Sequence, residues 1–303
     1  MMKSDHLQET SLRYFLEVVR CGSISEASQR LHVAGSAISR QISGLEKILD
    51  TTLFERRPRG MVLSAAGEVL AAHARKSALE ADRAVADILA LQGLRRGKVR
   101  IASSEGFAIE FLPRLIANFQ QIYPAILFQL HVTKAGEVSR RVREGDADIG
   151  LTFSRTLEKE IKVEYRQPAP VRAIMRNDHP LAQSKQVSLA QLQAYPLALP
   201  GPETTLRQLF DVVCSRQKLL IEPVLTSNYI GALLNFVMVS GGISAAGEVS
   251  VRYRIAESAM VALPIRDRGM GDRYIELQTL VGRTLPRVVQ IFLDYIKQQL
   301  AED

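Results

Sequence analysis

The chain has 303 residues, 47% hydrophobic and 23% charged, with no apolar run near the ~20 residues that a membrane span requires. Its two cysteines, Cys21 and Cys214, lie far apart, its five histidines are scattered and no C-x-x-C occurs, which excludes a disulfide scaffold and indicates neither a metal site nor a cofactor. Net charge is +7, and residues 1 to 100 hold 16 Lys/Arg against 11 Asp/Glu, so the basic excess sits where affinity for nucleic acid would place it.

The opening MMKSDHLQET lacks an apolar h-region, so no secretion signal is read and a cytoplasmic protein is expected. Leu12, Phe15, Leu16 and Val19 give a first helix its apolar stripe, which Cys21-Gly22 closes. Next, ISEASQRLHVAGSAISRQIS from Ile24 to Ser43 reads as two short helices joined by a tight turn. Ser23 to Glu26 offers an S-x-x-E capping box, and Ala27, Ser28 and Leu31 face a core at helical spacing. In the second helix Ile38, Ile42, Leu45 and Leu49 cluster on one side and Ser36, Ser39, Arg40 and Ser43 on the other. An apolar back with a small, polar, singly basic front suits entry into a major groove roughly 12 Å wide. A solvated serine face is the alternative.

Leu53 to Arg56 and Met61 to Leu63 are short β-prone runs around Arg57-Pro58-Arg59-Gly60, a predicted hairpin with a cationic tip suited to phosphate or minor-groove contact. Together, the landmarks G-S-x-S-x-A, R-L-H-V, S-R-Q-I-x-x-L-E, L-F-E-R and L-S-x-x-G appear in order. This stretch resembles the N-terminal winged helix-turn-helix of the LysR-type transcriptional regulators. The resemblance implies DNA contact by Ser25, Gly35, Ser36, Ser39, Arg40, Ser43, Arg57 and Arg59. One departure stands out. Where the family opens its recognition helix with Ser-Gln-Pro, this chain has Ala34-Gly35-Ser36, so the usual N-cap serine, base-reading glutamine and helix-starting proline are absent.

Ser64 is a plausible N-cap for a long helix to about Leu91, with Leu70, Ala74, Ala78, Ala81, Val85 and Ile88 recurring every three or four residues. Such a stripe on a helix of some 40 Å calls for a partner, either a second copy of itself or the chain's own C-terminal part. LysR-type proteins dimerise through this helix, so the resemblance implies a homodimer or, by pairing of dimers, a homotetramer.

After a glycine-punctuated joint at residues 92 to 98, strands and helices alternate. Strands are expected at 99–102, 126–132, 148–152, 171–175, 197–199, 223–225, near 243–245 and 261–264, and at 276–281. Helices are expected at 111–123, 137–144, 189–192, 206–216, 229–239 and 286–300, which predicts a mainly parallel sheet covered by helices. FLPRLIANFQQIYP, EGDADIGL, DHPLA and SGGIS make this region similar to the LysR effector-binding region, two-lobed like the periplasmic solute-binding proteins of type 2. The expected fold is therefore α+β overall. It comprises a winged helix-turn-helix at 7–66, a linker helix at 64–92 and an α/β effector domain at 98–303, with one lobe at 98–167 plus 269–303 and the other at 168–268.

Ligands of such sheets bind beyond the carboxyl ends of strands, near helix N-termini. Those positions hold Ser103, Ser104, Thr133, Lys134, Thr152, Pro200, Gly201, Thr204, Thr205 and Asn228, and their hydroxyls and backbone donors favour a small organic anion. An ordinary helix cap is the alternative for each. The reading is a transcriptional regulator whose partners are double-stranded promoter DNA, its own copies, a small effector and RNA polymerase, with no membrane. In the alternative, the cleft serves oligomerisation or redox sensing only. An α/β enzyme ranks after both, because Ser215 to Lys218 matches S-x-x-K inside a predicted helix and no companion motif, P-loop, G-x-S-x-G, H-E-x-x-H or G-x-G-x-x-G occurs.

Overall fold

Thr10 begins helix α1 (Thr10–Cys21), which ends where Gly22 turns left-handed at φ 67°. In the computed structural model residues 7, 9–57, 60–91, 97–156, 158–257 and 259–302 are described, and they form two compact units, each treated by itself below. In the first, α2 (Ile24–Leu31) is capped by Ser23, whose Oγ accepts from the Glu26 N–H at 3.5 Å. The expected reciprocal half of the box is not formed, because the Glu26 carboxylate accepts from Arg30 at 2.8 Å instead. His32 then takes the left-handed conformation at φ 54° and turns the chain into α3 (Gly35–Leu49).

Strands β1 (Phe54–Arg57) and β2 (Gly60–Leu63) pair antiparallel as the wing, with Arg57 opposite Gly60. Helix α4 (Ala65–Leu91) follows, and Ser64 caps it as expected, accepting from Gly67 N–H at 3.0 Å. The L-S-x-x-G glycine has a steric reason: a Cβ on Gly67 would stand 2.1 Å from the carbonyl oxygen of Leu53. Phe15, Val18, Ala27, Ile38, Leu53 and Ala71 are fully buried in one core, joined by Ile42 and Ala74. Two expectations are corrected. Leu49 is 47% exposed rather than on the buried side of α3. The first half of the α4 stripe, Leu70, Ala74 and Ala78, packs into this same core and is not left for a partner, whereas Ile88 further along is 52% exposed.

The second unit holds two five-stranded sheets. The first comprises β3 (Gly97–Ser103), β4 (Ile126–Val132), β5 (Ile149–Ser154), β6 (Ile161–Pro168) and β12 (Tyr274–Leu280) in the order β4-β3-β5-β12-β6. The other comprises β7 (Val171–Arg176), β8 (Leu197–Pro200), β9 (Leu225–Ser227), β10 (Ile243–Gly247) and β11 (Met260–Pro264) in the order β11-β7-β10-β8-β9. The expected mainly parallel sheet is corrected to two mixed sheets. In the first, β4, β3 and β5 run parallel while β12 and β6 run antiparallel to their neighbours. In the second, β9, β8 and β10 run parallel while β7 and β11 run against β10 and β7 respectively. The antiparallel members β6, β7, β11 and β12 flank the two crossings, β6 leading into β7 and β11 into β12, so their directions follow from the need to leave one sheet and return to it.

Helices α6 (Phe111–Ile122), α7 (Ala135–Arg143) and α12 (Arg287–Ala301) accompany the first sheet, and Phe119, Phe128 and Phe292 meet edge to face in its core. Asp148 ties β3 to the start of β5, accepting from the Arg100 guanidinium at 2.7 Å and from its backbone N–H at 2.8 Å. Helices α9 (Thr205–Arg216) and α10 (Ile230–Ser240) accompany the second sheet. The two crossing strands are bonded side by side, with Ala169 N–H donating to the Arg273 carbonyl at 2.8 Å and Val171 N–H to that of Met270 at 3.0 Å. The two sheets are thus joined by a pair of adjacent crossings.

Candidate functional site

The front of α3 is polar and open. Ser36, Ser39, Arg40 and Ser43 are exposed, while Ile38 and Ile42 behind them are buried. No side chain caps the helix at Ala34, as the Ala34-Gly35-Ser36 departure implies, and Gly35 approaches Ile24 closely enough that a Cβ would sit 3.5 Å from its Cγ2. Ser25 is exposed on the first turn of α2, its carbonyl accepting from Ser28. On the wing, Arg57 is exposed and paired with Glu55 at 2.8 Å, a surface ion pair that a phosphate could replace at little cost. Arg59 lies outside the described residues.

Between the two sheets of the second unit lies a cavity of about 810 Å³, within the ordinary size range of small-ligand pockets. Ser104, Thr133, Lys134, Pro200, Thr204, Thr205 and Asn228 line it. Ser103, Thr152 and Gly201 do not. Strand alternation turns Ser103 inward, where it is fully buried and its Oγ donates to the Ser104 carbonyl. Thr152 stands behind the wall, its Oγ1 sharing a 2.8 Å hydrogen bond with Ser104 Oγ, so it orients Ser104. Gly201 is covered by Glu203, whose carboxylate would lie 2.4 Å from a Cβ there. Thr204 spends its hydroxyl on helix capping, accepting from Arg207 N–H at 3.2 Å and donating to the Gly201 carbonyl at 2.8 Å.

Among the lining residues that escape sequence reasoning are two charged ones held by bonds across the fold, Glu105 and Arg273. Glu105, in the short helix α5 (Glu105–Ala108), reaches across the cleft, and its Oε1 accepts from the Ile230 N–H at 2.8 Å, the first amide of α10 in the other lobe. Burial raises its pKa above the ordinary carboxylate range, and that amide bond opposes the rise. Arg273, on the second crossing, is 2% exposed. Its Nε donates to the Ala169 carbonyl at 3.1 Å and its guanidinium lies 4.2 Å over the Phe153 ring, yet its Nη2 has no hydrogen-bond partner. Desolvation pushes its pKa down to about 9, which leaves it a cation at neutral pH. Neither residue belongs to a local motif; each acquires its role only when segments more than 100 residues apart are brought together.

Neither cysteine has a lowered thiol pKa. Cys214 is buried in α9, and burial raises its thiol to about 11; Cys21 is also raised, by burial and then by Glu17. Protonated thiols are poor nucleophiles. Ser215 is exposed on α9 and is not among the residues lining the cavity.

Residues 10–68 match the family model of the bacterial regulatory helix-turn-helix protein, lysR family, and residues 92–301 match that of the LysR substrate binding domain. The chain belongs to the LysR family. Among curated relatives of this LysR chain, the HTH-type transcriptional regulator CysL of Bacillus subtilis is 31% identical over 182 residues, spanning 60% of this chain and 61% of CysL. Among solved structures, full-length OxyR from Pseudomonas aeruginosa shares the fold with a TM-score of 0.69 at 18% identity, covering 98% of this chain and 95% of that one. The Synechocystis CcmR regulatory domain, solved in complex with 2-PG, is 25% identical with a TM-score of 0.56, covering 67% of this chain and 97% of its own. The matched helix-turn-helix family is one of bacterial regulatory proteins, and CysL is a transcriptional regulator.

Proposed function

We propose that this LysR-family chain is a cytoplasmic transcriptional regulator that binds promoter DNA through α3 and the wing, and that a small organic anion in the interlobe cavity controls it. The observation that carries the DNA reading is the front of α3: Arg40 is exposed, has no ion-pair partner among the described residues, and is flanked by serines small enough to admit a groove floor. Arg40, Ser36, Ser39 and Ser43 read or line the groove, with Ser25 and Gly35 at the helix starts and Arg57 and Arg59 on phosphates. Ile88, 52% exposed near the far end of α4, supports pairing of two copies, so that two heads meet an interrupted inverted repeat.

In the cleft, Ser104, Thr133, Lys134 and Asn228 contact the effector, with Thr205 at the mouth of α9. The ligand named for CcmR, 2-PG, supports an anion of similar size here. Closure of the lobes on such a ligand shifts the population of dimer geometries and with it the spacing of the DNA-binding heads. RNA polymerase then responds to the altered complex at the promoter. Fluorescence anisotropy at fixed salt, with duplex from the chain's own upstream region, tests the reading: Arg40→Ala weakens binding by about 1–3 kcal/mol. Unchanged affinity removes Arg40 from the interface.

A further inference from the structure

Burying a guanidinium without an anion is unfavourable, and the side chain that bears this cost marks a place where an anion is welcome. Arg273 is such a side chain, and it lines the cleft. Its backbone and its Nε brace the crossing at Ala169, so its head is fixed and its Nη2 is left over. Nη2 comes within 2.6 Å of where a Cβ on Gly247 would be, and Ser250 Oγ within 2.3 Å of where one on Gly106 would be. Both positions are glycine, and both glycines line the cavity. The space beside a buried cation and a hydroxyl is thus kept clear of side chains on two stretches of backbone.

We infer that Arg273 is the charge-reading residue of the cleft: its Nη2 receives a carboxylate or phosphoryl oxygen of the effector, with Ser250 Oγ as the neighbouring donor. This rests on the cleft being the effector site, and adds which atom selects the ligand's charge. Because the same guanidinium holds the first crossing through Ala169, an anion drawn to Nη2 acts at the crossing itself. Lys134, exposed at the rim, attracts anions without discriminating among them; Arg273, desolvated, rejects a neutral isostere, which would leave Nη2 unpartnered.

The test uses the full chain and thermal melting in inorganic phosphate, benzoate and glycolate, each against chloride at equal ionic strength, with benzamide and glycolamide as neutral counterparts. The wild type is expected to gain Tm from at least one anion and none from its amide. R273M is expected to lose that gain, and R273K to need at least tenfold more of the anion because the ammonium lacks the fixed fork. If R273M does not fold, R273K decides the matter alone. The inference is overturned if the variants respond to the anions as the wild type does, or if no anion raises the wild-type Tm above chloride. An amide that protects wild type and R273M alike also overturns it, while leaving the cleft as the effector site.

Discussion

The Glu105 bond across the cleft makes lobe closure measurable without knowing the effector. Its Oε1 accepts from the Ile230 N–H at 2.8 Å, a charged acceptor on the first amide of an 11-residue helix. Bonds to charged groups contribute about 1.5–3 kcal/mol net, and a helix N-terminus adds a few tenths at a partly exposed site. Taking the lower end, since Glu105 is only half-buried, Glu105→Ala shifts the lobes toward opening by about 1.5 kcal/mol, roughly tenfold in the closed-to-open ratio. Hydrogen exchange followed by mass spectrometry on peptides covering 228–236 reads this directly: exchange should quicken about tenfold there and not in α6 or α12.

Glu105→Gln separates charge from hydrogen bonding. A raised carboxyl pKa means the folded chain keeps its proton to higher pH than the unfolded chain does, so the group favours folding most at low pH. That advantage is lost as pH rises from the ordinary value of 4.5 through the folded value. The amide retains an acceptor for Ile230 and has no proton to lose, so Tm at pH 7 should match or exceed wild type and its fall above pH 4.5 should flatten. Exchange at 228–236 that Glu105→Ala leaves within twofold of wild type would refute this account of closure.

Gly67→Ala should destabilise the N-terminal unit by about 2 kcal/mol or more by denaturant unfolding, because its Cβ would overlap the Leu53 carbonyl at 2.1 Å while Ser64 still caps the helix. Cys214, with its thiol raised to about 11, should resist iodoacetamide at pH 8 in the folded chain and react on unfolding; rapid native alkylation would show that α9 opens. Asp148→Ala removes the buried carboxylate that accepts from both the guanidinium and the backbone N–H of Arg100, and should lower stability by about 3 kcal/mol in the same unfolding assay, with Asp148→Asn recovering part by keeping the bond to the Arg100 N–H.

The helix-turn-helix was legible because its signals are local: Ile38 and Ile42 at helical spacing, serines opposite, and a glycine that no other residue can replace at Gly67. Strand β6 was not, since Lys162, Glu164 and Arg166 alternate through it and look like a solvated loop. The partners that order it come from more than 100 residues away: Thr279 and Lys297 hold Glu164, which also takes Lys162, and Glu276 holds Arg166. Sheet polarity was missed for the same reason, because β12 joins the first sheet only after the chain has built the second. Within the cleft, position after a strand identified Ser104 and Thr133 as lining residues but could not separate them from Ser103, whose side chain points the other way. Glu105 and Arg273 have no sequence signature. One is an acid beside a serine, the other an arginine in a turn, and only the paired crossings give them a cleft to face.

DNA recognition is tested most directly by a titration of the full chain with duplex from its own upstream region and with unrelated duplex of equal length, each at two salt concentrations. Binding to the upstream duplex should be tighter by at least ~10³-fold, with affinity falling linearly in log salt by about 0.9 per phosphate contact. Equal affinity for both duplexes at low salt, or no binding to either, would contradict the assignment of α3 and the wing to promoter DNA.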